Sequence, residues 1–167
     1  LGTFPRRRVL VLAGPTAVGK SAVAMELAAR LNGEIISADS VQVYKGLDIG
    51  SNKASPKERG LVPHHLLDVA DLSSTYSAGN FYVESRTAVE DVASREGTPI
   101  VVGGTMMYIR WLIYGRPATP PPNRDVVARV DAKIAALNGN WEAGIALLAG
   151  KDLARASMLS KNDWYRL

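Results

Sequence analysis

The sequence predicts an α/β fold: a P-loop three-layer parallel sheet flanked by helices. Three observations carry that expectation. "RVLVLAG" is a short unbroken apolar run that ends in Gly14. "GPTAVGKS", Gly14 to Ser21, follows it with the spacing G-x-x-x-x-G-K-[ST]. "SAVAMELAARLNG" then supplies good helix formers, and "EIISA" (Glu34 to Ala38) a second apolar segment. Strand, glycine-rich turn, helix and strand complete a βαβ unit. That is the context the loop's spacing requires.

The elements follow in order. The first run reads as a strand buried on both faces, and so central in a parallel sheet. Before it, "PRRR" (Pro5 to Arg8) reads as a solvated basic turn, the alternative being the end of an organellar leader. Asn32-Gly33 is the stop signal of the first helix. Residues 43–75 are loop-rich, punctuated by Gly46, Gly50, Pro56, Gly60 and Pro63, with a short strand expected around Leu67 to Val69. Ser77 is the expected N-cap of a one-sided helix with apolar residues at 81, 88, 89, 92 and 93, ending at Gly97. "TPIVVGGT" is another buried strand, opening into Gly103-Gly104-Thr105, and "MMYIRWLIYG" is an apolar helix.

These elements make an expected core over residues 1–116. "RPATPPPN" holds four prolines in eight residues, and 117–123 reads as a semi-rigid linker. Residues 124–159 carry amphipathic helices separated by Gly139 and Gly150, with Val126, Val130, Ile134 and Leu137 on one face of the first. Residues 160–167 close in "NDWYRL" without a cap, and the chain is expected to be truncated there.

Composition sets bounds on function. Of 167 residues, 47% are hydrophobic and 22% charged, which suits a globular chain with a buried core. Twenty basic residues against sixteen acidic ones leave a formal charge of +4, a weak match to an anionic partner. There is no cysteine, which removes disulfides, thiolate metal sites and cysteine nucleophiles from these residues. No apolar run approaches the roughly 20 residues of a membrane helix. A soluble, non-secreted protein with no membrane partner is expected, cytoplasmic or organellar, acting as a monomer.

The loop states its own chemistry. Glycines let backbone amides approach an anion, and the helix start adds unpaired N–H groups and a positive dipole end. Lys20 supplies a full charge, and the Ser21 hydroxyl can ligate Mg2+. The spacing specifies phosphate, as in nucleotide- and ATP-binding proteins, and not a reaction type. An ATP-hydrolysing machine places a metal-holding Asp at the end of a second buried strand, where this chain has Gly-Gly-Thr. "EIISADS" does end in an acid. Asp39 is expected at the carboxyl edge of the sheet beside the phosphate loop, where open α/β folds bind ligands; the alternative is a turn or helix cap. His64 and His65 have the wrong spacing for two metal ligands on one face and read as structural. Tyr76, Phe81, Tyr82, Trp111 and Tyr114 read as core.

Together "GPTAVGKS", "NGEIISADSVQVYKGLDIGSNK", "VPHHLLDV", "YSAGNFY", "VVGGTMMYI" and "ND..RL" resemble, in order and spacing, the tRNA dimethylallyltransferases, also called tRNA isopentenyltransferases. The resemblance is close over residues 9–116 and looser beyond. It implies transfer of a dimethylallyl group from dimethylallyl diphosphate to the exocyclic amine of the adenosine beside the anticodon of a tRNA. It implies that Gly14, Thr16, Ala17, Val18, Gly19, Lys20 and Ser21 cradle the diphosphate, with Mg2+ on Ser21. It implies catalytic roles for Asp39 as general base, for Lys20 and for Thr105. Asp39, Ser40, Val41, Gln42, Thr105 and Arg166 match positions that contact the tRNA anticodon stem-loop; Thr105 also reads as an N-cap. A family Pro-Gln pair is replaced by Trp164-Tyr165, and a family arginine after the linker by Val127. Residues 124–159 match the first part of a helical tRNA-binding insert, and 160–167 the start of a return to the core. Three other readings stand beside this one: an adenylate isopentenyltransferase of cytokinin synthesis, a P-loop nucleotide kinase, and an inactive diphosphate-binding fragment.

Overall fold

A computed structural model describes residues 8–119 and 123–167 of the chain. The basic turn expected at "PRRR" lies outside the described residues apart from exposed Arg8, as do linker prolines 120–122. Four strands, β1 (Leu10–Ala13), β2 (Gly33–Ser37), β3 (His64–His65) and β4 (Thr98–Gly103), form one sheet in the order β1-β4-β2-β3. Every pairing is parallel; Val11 stands opposite Val101, and Ile36 opposite both Val101 and His65.

Alternation along the strands sorts their side chains onto two faces. Ile35, Ile100 and Val102 pack with Ala24 and Ala28 of helix α1 (Lys20–Leu31). Ile36 and Val101 pack on the other face with Phe81 and Ala88 of α3 (Ala78–Ser94) and Tyr108 and Ile109 of α4 (Met106–Tyr114). Helix, sheet and helices are the three layers expected. Phe81 is fully buried, a burial that stabilises by roughly 1.5–3 kcal/mol.

Five expectations need correction. Tyr114, expected in the core, is 82% exposed near the end of α4, while Phe81 is buried and Tyr76 and Trp111 pack against the core. The strand expected to be central, β1, is an edge strand among the described residues, pairing only with β4. Its Leu10, Val11 and Leu12 are half-buried against both helical layers. An unbroken apolar run reports cover on two faces and says nothing of lateral neighbours. The strand expected at Leu67 to Val69 is displaced to His64–His65, because Leu66 and Asp68 take positive φ values of 61° and 58°, which no strand accommodates. The loop-rich 43–75 stretch contains a helix, α2 (Pro56–Leu61), with a complete Ser55/Glu58 capping box and Pro at its start. Finally, Asn32 alone caps α1 in the left-handed conformation, and Gly33 begins β2, where a Cβ would sit 2.8 Å from Ile100.

The Ser77 cap of α3 is present, reciprocated by Asn80. At the amino end of β2, buried Glu34 accepts a hydrogen bond from Arg95 and pairs with His65 at 2.6 Å. The Arg95 guanidinium holds the Glu34 carboxyl below the usual carboxylate range, against the cost of burial. His65 is thus structural, as expected.

The chain divides into two compact units, Leu1–Pro117 and Ala118–Leu167. The second holds α5 (Arg124–Ala136), α6 (Trp141–Ala149) and α7 (Leu153–Met158), each begun by a side-chain cap from Asn123, Asn140 and Asp152. No residue of α5 is buried. Within this unit Trp164 meets Trp141 edge-on at 5.3 Å. No described helix is long and apolar enough to cross a membrane.

Candidate diphosphate and carboxylate site

Three of the chain's loops leave the carboxyl ends of parallel strands on one edge of the sheet: the phosphate loop after β1, the Asp39 turn after β2, and Gly103-Gly104 after β4. They surround a cavity of about 480 Å³. Thr16, Ala17, Gly19, Lys20, Ser21, Asp39 and Gln42 all line it. Gly14, Val18, Ser40, Val41 and Thr105 do not. Arg166 belongs to the second unit and pairs with Asp163 at 2.7 Å.

The phosphate loop is shaped by backbone. Ala17 and Gly19 take positive φ values of 67° and 84°, and Gly19 is the residue from which α1 starts. Glycine adopts that conformation without strain. The amides of Thr16 to Gly19 donate no backbone hydrogen bond among the described residues. Lys20 Nζ donates to the loop's own Pro15 carbonyl at 2.6 Å. The Ser21 hydroxyl has no hydrogen-bond partner among the described residues. The loop therefore presents a ring of unused donors, a cation and a hydroxyl oxygen.

Asp39 is half-buried, and its Oδ1 accepts from the amides of Val41 at 2.8 Å and Gln42 at 3.3 Å. Its turn-capping and site-lining positions are therefore compatible: one oxygen organises the turn and the other has no described partner. The turn is seated on β4. Ala38 N donates to Val102 O at 2.8 Å, and Thr105 N to Ala38 O at 3.2 Å. A Cβ on Gly103 would lie 2.1 Å from the Ala38 carbonyl oxygen, so the two strand ends meet backbone to backbone. Thr105 stands at the N-cap position of α4 but makes no capping bond with its side chain. Its Oγ1 instead accepts from Ser40 N at 3.0 Å.

Beyond Asp39 the chain forms an arch, residues 41–54. Gln42 closes it: Ser37 donates to its amide oxygen at 2.8 Å, and its Nε2 donates to the carbonyls of Ser51 and Asn52. Lys53, absent from the sequence-based candidates, locks it. Its side chain is 1% exposed, and Nζ donates to Tyr44 O, Asp48 Oδ1 and Asp68 Oδ1 at 2.6, 3.0 and 2.6 Å. Arg59 joins Asp68 from α2 at 2.7 Å. Burial works against the Lys53 charge, but the two carboxylates outweigh it and raise its pKa. Burial likewise opposes the Asp68 charge, and its hydrogen bonds from Lys53 and Arg59 prevail, holding it below the usual range. A lone Lys between loop residues gives no sequence signal of burial; only its three acceptors, far apart in sequence, create it. At the crown of the arch Ile49 is 98% exposed.

His64 also lines the cavity, with Nδ1 bonded to Val62 O at 2.8 Å and a pKa lowered by burial. Among the described residues no group of three or more His, Asp or Glu is placed to hold a metal ion. Ser21 and Asp39 nonetheless offer hard oxygen donors of the kind Mg2+ takes, one or two protein ligands completed by substrate phosphates and water.

Known proteins match this chain along most of its length. tRNA dimethylallyltransferase 9 of Arabidopsis thaliana is 50% identical over 164 residues, covering 97% of the chain and 35% of the relative. The tRNA dimethylallyltransferase of Protochlamydia amoebophila is 41% identical over 158 residues, 95% of the chain and 45% of the relative. Among solved structures, a eukaryotic dimethylallyltransferase acting on tRNA superposes with a TM-score of 0.75 at 34% identity, over 96% of this chain and 39% of that one. The full-length tRNA isopentenylpyrophosphate transferase of Bacillus halodurans gives 0.66 at 33%, over 96% and 53%. The chain thus spans between about a third and a half of the length of these proteins. The family model described as IPP transferase matches residues 42–167, from the arch to the last residue. With the P-loop fold of its structural neighbours as well, the chain belongs to the IPP transferase family.

Proposed function

We propose that the protein of which these residues are part transfers a dimethylallyl group from dimethylallyl diphosphate to the exocyclic amine of an adenosine next to the anticodon of tRNA. The observation that supports this most is the shared cavity of the phosphate loop and Asp39, with Gly103-Gly104 where a phosphoryl-transfer machine needs an acid. The family and the names of its matched members point the same way.

In this reading the C1–O bond of the allylic diphosphate breaks and its electron pair leaves on pyrophosphate. The amides of Thr16 to Ser21 and the Lys20 ammonium, released from Pro15, meet that growing charge. Donors so placed are preorganised, and losing one costs about 3–4 kcal/mol in comparable sites. The amine lone pair forms the new C–N bond, and Asp39 receives the amine's proton on the oxygen its turn leaves open. Ser21 would hold Mg2+, which when bound neutralises part of the diphosphate charge. Thr105 holds the Asp39 turn through Ser40, and Gln42 shapes the cavity wall. Val41, exposed beside the turn, and Arg166 in the second unit are proposed tRNA contacts. The protein acts as a soluble monomer in cytoplasm or organelle.

The test uses labelled dimethylallyl diphosphate with the full-length protein and, separately, tRNA and AMP. Label is expected on tRNA alone; label on AMP would make it an adenylate prenyltransferase, and phosphate transfer from ATP a kinase. Asp39→Ala is expected to lower transfer by about a thousandfold while diphosphate affinity stays near wild type. An unchanged rate removes Asp39 as the base.

A further inference from the structure

We propose that Tyr108 is a substrate-contacting residue: its phenol hydroxyl, held by a packed ring beside the Asp39 turn, donates a hydrogen bond to an acceptor on the incoming nucleoside. The inference rests on the transfer reaction proposed above and adds to it a group on the acceptor side.

Tyr108 lies one turn into α4, and its amide bonds to the Thr105 carbonyl at 3.0 Å. Thr105 in turn holds Ser40 through its hydroxyl and Ala38 through its amide. The start of α4 and the turn carrying Asp39 are therefore one tied assembly, and Tyr108 moves with it. Its ring stacks on Phe81 with centroids 4.4 Å apart and planes 12° from parallel, and meets Tyr76 edge-on at 6.4 Å. The residue is 3% exposed. With the ring fixed on both sides, the position of the hydroxyl is fixed too.

A phenol buried to that degree ordinarily gives its O–H to an acceptor. Tyr76 follows the rule and donates to Glu84 at 2.8 Å, while the Tyr44 hydroxyl is engaged as an acceptor of Tyr76 N at 3.2 Å. The Tyr108 hydroxyl makes no hydrogen bond to any described residue. Yet no fully buried side-chain polar atom in the described structure lacks a partner, so this oxygen opens towards solvent. Burial first, then the nearby Tyr44 and Asp39, raise its pKa, which keeps it a donor at neutral pH.

The partner is not the diphosphate. The cavity that houses the phosphate loop includes Asp39 but not Tyr108, Thr105 or Ser40. Those three residues lie along the Asp39 turn outside that cavity. A ligand reaching Tyr108 there brings an acceptor, a purine ring nitrogen or ribose oxygen, close to the amine that Asp39 deprotonates. The hydroxyl orients that nucleoside; it takes no part in bond making.

Tyr108→Phe removes one oxygen and leaves the ring stack. In the full-length protein the expected result is an unchanged melting temperature and unchanged affinity for dimethylallyl diphosphate. kcat/KM for the RNA acceptor should fall roughly tenfold, the scale of one lost hydrogen bond. Wild-type kinetics in the variant would overturn the proposal. So would a drop in melting temperature with equal losses towards both substrates, which is the signature of a core residue. If the wild-type protein prenylates no RNA, the transfer reading fails on its own. The contact is then decided by titrating both proteins with an anticodon stem-loop RNA: weaker binding by the variant supports it, and equal binding overturns it.

Discussion

The phosphate loop and the arch over 41–54 line one cavity and are held by opposite means. Among the described residues the loop carries amides without partners, a lysine resting on its own backbone, and a hydroxyl without a hydrogen-bond partner. In the arch the Gln42 amide is bound at both ends, and the Lys53 ammonium has three acceptors. One wall keeps its donors open to solvent and available to a ligand. The other is complete before any ligand arrives. Two lysines, 33 positions apart in sequence, thus have unlike tasks: Lys20 is there to be recruited, Lys53 to be left alone.

Removing the buried lysine tests this contrast most severely. Lys53→Met leaves Asp68 and Asp48 without their shared cation, and stability is expected to fall by about 3 kcal/mol, the low end for a broken buried ion pair because Asp68 is 29% exposed. Chemical denaturation measures it. An unchanged midpoint would mean that the arch stands without its lock. Acid reaches Asp68 too, and with it Glu34, paired with Arg95 at the amino end of β2. Asp68 and Glu34 have folded pKa values below their ordinary 3.8 and 4.5, so their contribution is complete above those values and is lost as pH falls through the lowered ones. Unfolding should set in below about pH 4, and Lys53→Met should flatten that dependence.

The other lysine should behave in reverse. Lys20→Ala is expected to leave the denaturation midpoint in place and to weaken dimethylallyl diphosphate binding by about thirtyfold, as read by calorimetry, the scale of one charge-assisted hydrogen bond. A stability loss matching that of Lys53→Met would erase the distinction between the walls. The smallest effect belongs to the cap that starts α2 below the arch. Ser55→Ala removes the hydroxyl that accepts from Glu58 N and donates to the Glu58 carboxylate, and should cost about 1 kcal/mol, with diphosphate affinity untouched.

Which parts were legible in the sequence follows from the same contrast. The phosphate loop is local: glycines, Lys20 and Ser21 at set spacing after an apolar run determine its shape, and the structure has that shape. The carboxyl-edge position of Asp39 follows from the strand before it. The arch is not local. Gln42 meets Ser51, and Lys53 meets Asp68, through bonds that no periodicity announces. β3 lies before its expected position because two left-handed residues, Leu66 and Asp68, interrupt that stretch with no glycine to mark them. The α2 helix does have a local signal: Ser-Pro-Lys-Glu at 55–58 is a capping box with proline at its first turn. Tyr108 gave no signal, since in sequence it is one more aromatic residue in an apolar helix.

Ile49 has a practical consequence. It crowns the arch almost wholly in solvent, and the 167 residues contain no cysteine. Ile49→Cys would therefore create a single thiol among them, on a side chain open to solvent whose backbone is tied into the arch through Asn52 N. A fluorophore or spin probe attached there would ride on the wall opposite in character to the phosphate loop. It would report, in real time and without touching either lysine, whether that wall stays still when each substrate arrives.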